Sequence, residues 1–176
     1  MSASPHALLR WQFDLTWALV DYHLERLKAA DFLWEPAPLC WTMRLDPAGG
    51  WRADWADTEP DPVPVPTVAW LTWHIGWWWS VATDHLRQRP VRERADVGWP
   101  GPGQETITWL RELRSEWTDG LDHLTPADLD RPAAYPWAAD TGLAVAHLAG
   151  WVNAELMKNA AEIGQLRLLR AARQPT

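Results

Sequence analysis

Apolar residues recur with helical spacing in four stretches of the chain, which are separated by segments rich in proline, glycine and aspartate. The predicted helices span Ser4 to about Ala30, Thr67 to about Arg89, Gln104 to Leu124, and Gly142 to about Arg173. Ser4 and Pro5 suit a helix cap and first turn, and the Thr141 hydroxyl is expected to cap the last helix.

The apolar positions within each stretch define the faces that should form the core. They are Phe13, Trp17, Val20, Leu24 and Leu27 in the first helix, Val68, Leu71, Ile75, Trp78 and Ala82 in the second, Ile107, Leu110, Trp117, Leu121 and Leu124 in the third, and Leu148, Val152, Leu156, Ile163 and Leu166 in the fourth. Four long helices without an extended sheet pattern predict an all-α, antiparallel four-helix bundle, with residues 1–176 as one domain.

The connections between the helices carry further signals. Residues 31–66 are too long for a simple turn, and within them residues 41–45, a turn at 46–50 and residues 51–55 predict a small β-hairpin. The second-to-third connection is expected to be a long crossover. Thr125, Pro126 and Asp128 are typical of a one-turn capped helix.

Tryptophan dominates the aromatic composition, with 16 Trp against 2 Tyr and 2 Phe. Large amphipathic rings in this number suggest that some line a cleft or an interface. Trp77, Trp78 and Trp79 cover more than half of a helix circumference, so at least one ring should point away from the core. We therefore expect a homodimer.

Charge and composition exclude several function classes. The formal net charge of −7 disfavours binding to nucleic acid or to an anionic membrane surface. No stretch reaches the roughly 20 apolar residues of a membrane span, and Met1 to Leu9 lacks a secretion signal, so a cytoplasmic location is expected. One cysteine, Cys40, excludes an intramolecular disulfide and multi-thiolate metal sites.

Polar residues share one stripe of the last helix with apolar ones. The stripe contains Trp151, Glu155, Lys158, Glu162 and Gln165. Spacings of three and four residues allow the charged groups to pair, so a solvated salt-bridge ladder is one interpretation. The rest of this helix is apolar around much of its circumference, which favours a buried polar site instead.

His74 lies in the middle of the second helix, with Trp70 and Trp77 on its own face. A core histidine with one hydrogen-bond partner is the simpler interpretation. The other is a ligand site, because metal sites in bundles are built from facing helices and His74 would lie opposite the stripe from Glu155 to Glu162.

Two segments resemble the DinB-like family, namely Pro66-Thr-Val-Ala-Trp-Leu-Thr-Trp-His-Ile-Gly76 and Glu162-Ile-Gly-Gln-Leu-Arg-Leu-Leu-Arg170. Trp34-Glu-Pro36 extends the resemblance over nearly the whole chain. The resemblance implies a bundle with a long crossover and, in active members, a divalent metal such as zinc or nickel. That metal is held by one His of the second helix and a His-x-x-x-His pair before Gly-Gln on the fourth. Actinobacterial relatives include thiol S-transferases and the mycothiol-dependent maleylpyruvate isomerase, which use low-molecular-weight thiols.

Carried onto this chain, the family ligand positions are His74, Lys158 and Glu162. An ammonium cannot ligate a cation, so only His74 and Glu162 keep metal-ligand chemistry, with Glu155 as a third candidate one turn earlier. The resemblance therefore implies a degenerate metal site with no tightly bound metal. We expect Lys158 to take the place of the cation, paired with Glu155 and Glu162 and hydrogen-bonded to His74.

Two functions follow from this interpretation. The first is a thiol-dependent S-transferase or isomerase that acts on a small organic substrate, with Lys158 and Glu162 as candidate catalytic groups. Its aromatic pocket would be lined by Trp70, Trp77, Trp151, Glu155 and Gln165. The second is a non-catalytic ligand-binding or dimerising bundle whose family metal site has been lost.

Overall fold

Four long helices form the bundle in the computed structural model, which describes residues 4–173. The helices are α1 (Pro5–Leu24), α2 (Ala29–Phe32), α3 (Val68–Leu86), α4 (Gln104–Asp122), α5 (Pro126–Leu129) and α6 (Val145–Arg173), and the strands are β1 (Cys40–Trp41), β2 (Met43–Leu45), β3 (Trp51–Ala53) and β4 (Val65–Pro66). The outermost residues of the expected domain, and the start of the segment tested for a secretion signal, lie outside the described range. None of the described helices is long and apolar enough to cross a membrane.

Two neighbouring pairs of helices run parallel. Near the start of both α1 and α6, the Asn153 side chain donates a hydrogen bond to the Leu9 carbonyl, and near their ends the His23 ring packs against Gly164. In α3 and α4, Gly76 lies against the Trp109 ring, and Gly120 lies close to Leu86. A bundle in which every neighbour is antiparallel is therefore wrong for this chain.

The other two pairs are antiparallel. Asp21 near the end of α1 pairs with Arg111 in the first half of α4, and His6 near the start of α1 contacts the Leu121 carbonyl near the end of α4. In α3, His74 faces Lys158 of α6, whereas Trp78, which comes later in α3, packs on Trp151, which comes earlier in α6. The two helices therefore run in opposite directions. The four long helices thus run up, down, down, up. Parallel α3 and α4 need a connection as long as the bundle, which residues 87–103 provide as the expected crossover.

The hairpin expected after α1 is present, with β2 antiparallel to β3 and Leu45 opposite Trp51. A second pairing was not expected from the sequence, since β1 runs parallel to β4 and aligns Cys40 with Val65. The predicted turn at Thr125 is also confirmed as α5, where the Thr125 hydroxyl accepts from the Asp128 N–H. These strands are short, and the fold is all-α in its architecture.

Three helix ends differ from the sequence-based prediction by three residues or more, and one of them is the end of α3, at Leu86 rather than near Arg89. Helix α1 ends at Leu24 rather than near Ala30, since residues after it form a turn before α2. Helix α6 begins at Val145 rather than at Gly142, and the Thr141 hydroxyl donates to the Ala138 carbonyl rather than capping the helix. The ring of His147 accepts the Ala144 N–H at 3.0 Å instead.

Helix α3 is buried around nearly its whole circumference, and only His74, Trp77 and His85 of its 19 residues are not fully buried. Helices α4 and α6 cover two of its sides, and the tryptophans of the hairpin region cover a third. Of the three consecutive tryptophans, Trp78 and Trp79 are core residues, whereas Trp77 is half-buried and packs against Trp55 from the segment after the hairpin.

The crossover is fastened to the end of α3 by a buried carboxylate. Asp84 is only 2% exposed and accepts hydrogen bonds from Arg89 and from both Nε and Nη2 of Arg92. Burial alone raises the pKa of Asp84, but the hydrogen bonds and charge of Arg92 outweigh it and hold the pKa below its ordinary value. This ionised pair fixes where the crossover leaves the helix.

The close approach of α3 and α4 depends on the absence of a side chain at Gly76. A Cβ there would lie 1.7 Å from Cη2 of Trp109. We expect Gly76→Ala to lower the free energy of unfolding by about 2 kcal/mol, because the forced repacking outweighs the gain of about 1 kcal/mol in helix propensity. Urea denaturation followed by circular dichroism measures the difference. Gly98→Ala is the matched control, since no atom lies within 4 Å of its added Cβ. Equal stability of the two variants would contradict this packing argument.

Candidate functional site

A group of stacked rings surrounds the first half of α3. Trp41 stacks on Trp70 with centroids 5.0 Å apart, and Trp70 stacks on the His74 imidazole at 4.7 Å. Trp77 contacts the other side of His74 edge to face at 5.8 Å. The placement of Trp70 and Trp77 around His74 follows from their spacings of four and three residues on one helix face. Trp55, from the segment after the hairpin, closes over Trp77 at 5.1 Å.

Hydrogen bonds to main-chain carbonyls fix the orientation of these indoles. Trp70 Nε1 donates to the Asp54 carbonyl at 2.8 Å, which ties α3 to the segment after β3. Trp73 Nε1 donates to the Val97 carbonyl at 3.1 Å, which ties α3 to the crossover. A buried indole N–H needs such a partner, so the hairpin and crossover are held in place by the same rings that they cover.

His74 is an uncharged and unsatisfied imidazole. Its Nδ1 is buried without a hydrogen-bond partner among the described residues. Burial, and to a smaller extent the positive charge of Lys158, lower the pKa of His74 to about 4. An unfolded chain takes up this proton near pH 6.5, so acidification below that value favours unfolding.

Lys158 faces this site from α6 and is held by a carboxylate. Its ammonium lies 2.7 Å from Oε2 of Glu155, and its side chain is 52% exposed. No ion pair joins Lys158 to Glu162 among the described residues, and no hydrogen bond joins it to His74. The expected three-way contact is therefore wrong in these two details, because the lysine lies at the solvent edge of α6 and turns one helical turn back toward Glu155.

Glu162 belongs to a different polar chain. Its Oε2 accepts a hydrogen bond from Asn159 Nδ2 at 2.7 Å, and Asn159 Oδ1 accepts one from Trp78 Nε1 at 3.2 Å. Asn159 is 1% exposed, so this chain links α6 to α3 through the core. Sequence analysis missed Asn159, although its spacing of four residues from Glu155 and three from Glu162 places all three on one face of the helix.

The remaining expected pocket residues are divided between two places. Trp151 packs on Trp78 and on Tyr135, with ring centroids 5.3 Å apart in each pair, and not on the rings stacked around His74. Burial, and then the carboxylate of Glu155, raise the pKa of Tyr135 above its ordinary value. Tyr135 therefore brings a protonated hydroxyl close to the Lys158–Glu155 pair. Gln165 is exposed and makes no hydrogen bond within the described part of the chain.

A cavity of about 440 Å³ opens beside this site. Its lining consists of Trp77, Val81, Arg92, Glu93, Arg94, Ala95 and Tyr135. The Arg94 guanidinium lies 4.2 Å from the centroid of Trp55 and 5.8 Å from that of Trp77. Its only ion pair in the described residues is a long one of 3.8 Å to the exposed Asp57. Loop and crossover residues such as Arg94 and Tyr135 carry no spacing signal, so sequence analysis missed them.

The cavity thus combines two aromatic side chains, Trp77 and Tyr135, with the carboxylate of Glu93 and with the Arg94 guanidinium, whose one ion pair among the described residues is long. Volumes of roughly 300–1,000 Å³ with an apolar lining and few polar groups are typical of small-molecule sites. Arg92 is less available to a ligand in this cavity, because its guanidinium donates hydrogen bonds to both carboxylate oxygens of Asp84. Arg94 is the group that can receive an anion here.

Comparison with protein families gave one match and comparison with individual proteins gave none. The family model described as DinB superfamily matches residues 12–163 of the chain. The matched range contains His74, Lys158 and Glu162 together with most of each long helix. Neither the search of curated proteins nor that of solved structures returned a match.

The effect of Lys158 on His74 can be measured directly. We expect Lys158→Gln to raise the pKa of His74 above about 4, because it removes the positive charge, and to leave it below 6.5, because burial persists. Titration of the imidazole resonances by NMR, with His74→Gln for assignment, measures the change. Lys28→Gln removes the other lysine of the chain and should leave this pKa unchanged. An unchanged value in Lys158→Gln would place the ammonium too far from the ring.

Proposed function

The chain belongs to the DinB superfamily, and from this starting point we propose that it is a metal-independent member that binds a small organic anion beside the former metal position. The observation that carries the proposal is the ion pair of Lys158 with Glu155 at 2.7 Å, next to the buried His74. A permanent cation stands at a position where the resemblance implies a metal ligand. The electrostatic need for a positive charge is thus met by the protein itself.

The residues of this site do not fit a catalytic metal ion. His74 has a free ring nitrogen, but Glu155 is neutralised by Lys158 and Glu162 is held by Asn159. A catalytic zinc site needs about three protein ligands, and an adjacent ammonium opposes cation binding. No group of three or more His, Cys, Asp and Glu in residues 4–173 is arranged to hold a metal.

The ligand class follows from the cavity between Trp77 and Tyr135. Aromatic walls favour a ligand with a flat or apolar body, and the guanidinium of Arg94 favours a carboxylate that it can bind through two N–H groups. Because the protein carries a net charge of −7, anions are repelled elsewhere on its surface. A local cation of this kind therefore contributes to selectivity as well as to affinity.

A thiol-dependent S-transferase or isomerase is the second candidate function. It is favoured by the half-exposed Lys158 ammonium beside a neutral imidazole, since a positive charge stabilises a thiolate. Lys158 and Glu162 would be its candidate catalytic groups, and a low-molecular-weight thiol its co-substrate. This function requires turnover of a thiol adduct, whereas the first requires binding alone.

Restoring the missing imidazole tests the loss of the metal site. We expect Lys158→His to bind zinc at least about tenfold more tightly than the parent chain, because the change removes the ammonium, adds a nitrogen ligand and releases Glu155. Isothermal titration calorimetry on chelator-treated protein measures both affinities. Lys28→His is the matched control and should behave as the parent. Tight binding of zinc by the parent itself would contradict the proposal.

Anion binding is tested with a pair of isosteric probes. We expect benzoate to bind more tightly than benzamide, and Arg94→Gln to weaken benzoate binding by about tenfold while changing benzamide binding little. NMR chemical-shift titration reports the affinities and the location through Trp77 and Tyr135. The matched control is Arg26→Gln, which removes an exposed arginine just after α1 that does not line this cavity. An equal effect of the two arginine variants, or equal binding of the two probes, would contradict an anion site at Arg94.

A further inference from the structure

Helix α1 carries an apolar stripe on the side opposite its core face. The stripe, called here the α1 outer stripe, consists of Leu8, Trp11, Leu15, Ala18 and Tyr22. The exposed fractions are 55% for Leu8, 61% for Trp11, 53% for Leu15 and 47% for Tyr22. Core residues of the same helix, such as Phe13 and Leu24, are 0% exposed. The helix is therefore apolar on two opposite faces, although the bundle uses only one of them.

The spacing within the α1 outer stripe is regular. Its positions follow one another by three, four, three and four residues, which is the repeat by which helices pack side by side with interlocking side chains. No charged residue interrupts the stripe between Leu8 and Tyr22, and the Arg26 guanidinium, 3.7 Å from the Tyr22 ring centroid, marks its end. Scattered surface leucines would not produce such a pattern, whereas a helix-packing face would.

Exposed apolar residues of α6 continue this surface beside α1. Asn153 and Gly164 face α1, and helical geometry places Ala154, Met157 and Ala161 at the outer edge of the same flank. Ala154 and Ala161 are exposed, and Met157 is 36% exposed. Met157 lies nearest to α1 on this flank, and Ala161 and Ala154 lie farther out, so the apolar surface extends from the α1 outer stripe onto α6.

We propose that the α1 outer stripe is the interface of a homodimer in which α1 packs antiparallel against α1 of a second copy. A two-fold axis at Leu15 places Leu8 of one copy opposite Tyr22 of the other and Trp11 close to Ala18. Large residues then meet small or medium ones on both sides of the axis. The stripe is thus complementary to itself, which a symmetric dimer requires.

The size of this surface fits the same occupant. The exposed parts of the stripe amount to roughly 500 Å², which lies within the roughly 300–600 Å² of the largest apolar patch on a typical monomer, a patch that is often functional. Together with the α6 flank the surface approaches the roughly 800 Å² that each partner buries in a standard interface. The surface lies on the outside of α1, away from the His74 site on α3, so dimerisation leaves the proposed ligand cavity open.

Two leucine substitutions test the interface. In the proposed dimer, Leu15→Glu brings two carboxylates, one from each copy, face to face at the two-fold axis. The control, Leu45→Glu, makes the same change at a leucine of β2 that is 62% exposed. Sedimentation equilibrium of the full chain at micromolar concentrations measures the dimer. We expect Leu15→Glu to weaken dimerisation by about 100-fold or more and Leu45→Glu to leave it unchanged. Circular dichroism checks that both variants are folded.

The orientation of the helices is tested by cross-linking. In a Cys40→Ser background, Leu15→Cys should form a disulfide-linked dimer on mild oxidation, because the two positions meet at the axis, whereas Leu45→Cys should not. A monomeric parent at these concentrations would overturn the proposal. So would a dimer that persists in Leu15→Glu, or equal cross-linking at positions 15 and 45.

Discussion

The need to cover α3 on every side is the constraint on which the rest of the structure depends. This helix is apolar around nearly its whole circumference, so the other helices of the bundle cannot cover all of it. Without further cover, Trp70, Trp73 and Trp77 in its first half would be exposed to water. The proline-rich connection after α1 supplies the missing cover through Trp41 and Trp55. The segments on either side of the hairpin thus complete the cover of α3.

Covering the helix with indoles creates the chemical character of the candidate site. Each buried indole N–H must find an acceptor, and those of Trp70 and Trp73 find main-chain carbonyls in the hairpin region and the crossover. His74, enclosed by these rings, loses water and stays neutral, so its lowered pKa is a consequence of the same packing. A neutral imidazole beside an ammonium is the electrostatic outcome of an aromatic environment combined with a lysine on α6.

Carboxylates near the core are each held by a partner. Asp84 is held by Arg89 and Arg92, Glu155 by Lys158 and Glu162 by Asn159. Such pairing offsets the free-energy cost of removing these charges from water, but it leaves the paired carboxylates little able to bind a ligand. Removing one partner would leave an uncompensated buried group. Arg94 differs from these residues, since its guanidinium lies on aromatic rings and has only a long contact to an exposed carboxylate. The site therefore has one cation available to a ligand.

The sequence by itself determined the four helices, the hairpin and the core faces, because these follow from spacing within a continuous segment. Periodicity placed Phe13, Trp78 and Ile163 in the core, and the Ser4 and Thr125 caps were predicted from local chemistry. Only the tertiary structure decided the parallel pairing of α1 with α6, the start of α6 and the partner of each polar side chain. The physical reason is that Lys158 has carboxylates one turn away in both directions, at Glu155 and Glu162, and spacing treats them alike. In the folded chain Asn159 accepts a hydrogen bond from the Trp78 indole of another helix and donates one to Glu162, while Lys158 pairs with Glu155. Contacts of that kind join residues far apart in the chain, so no local pattern encodes them.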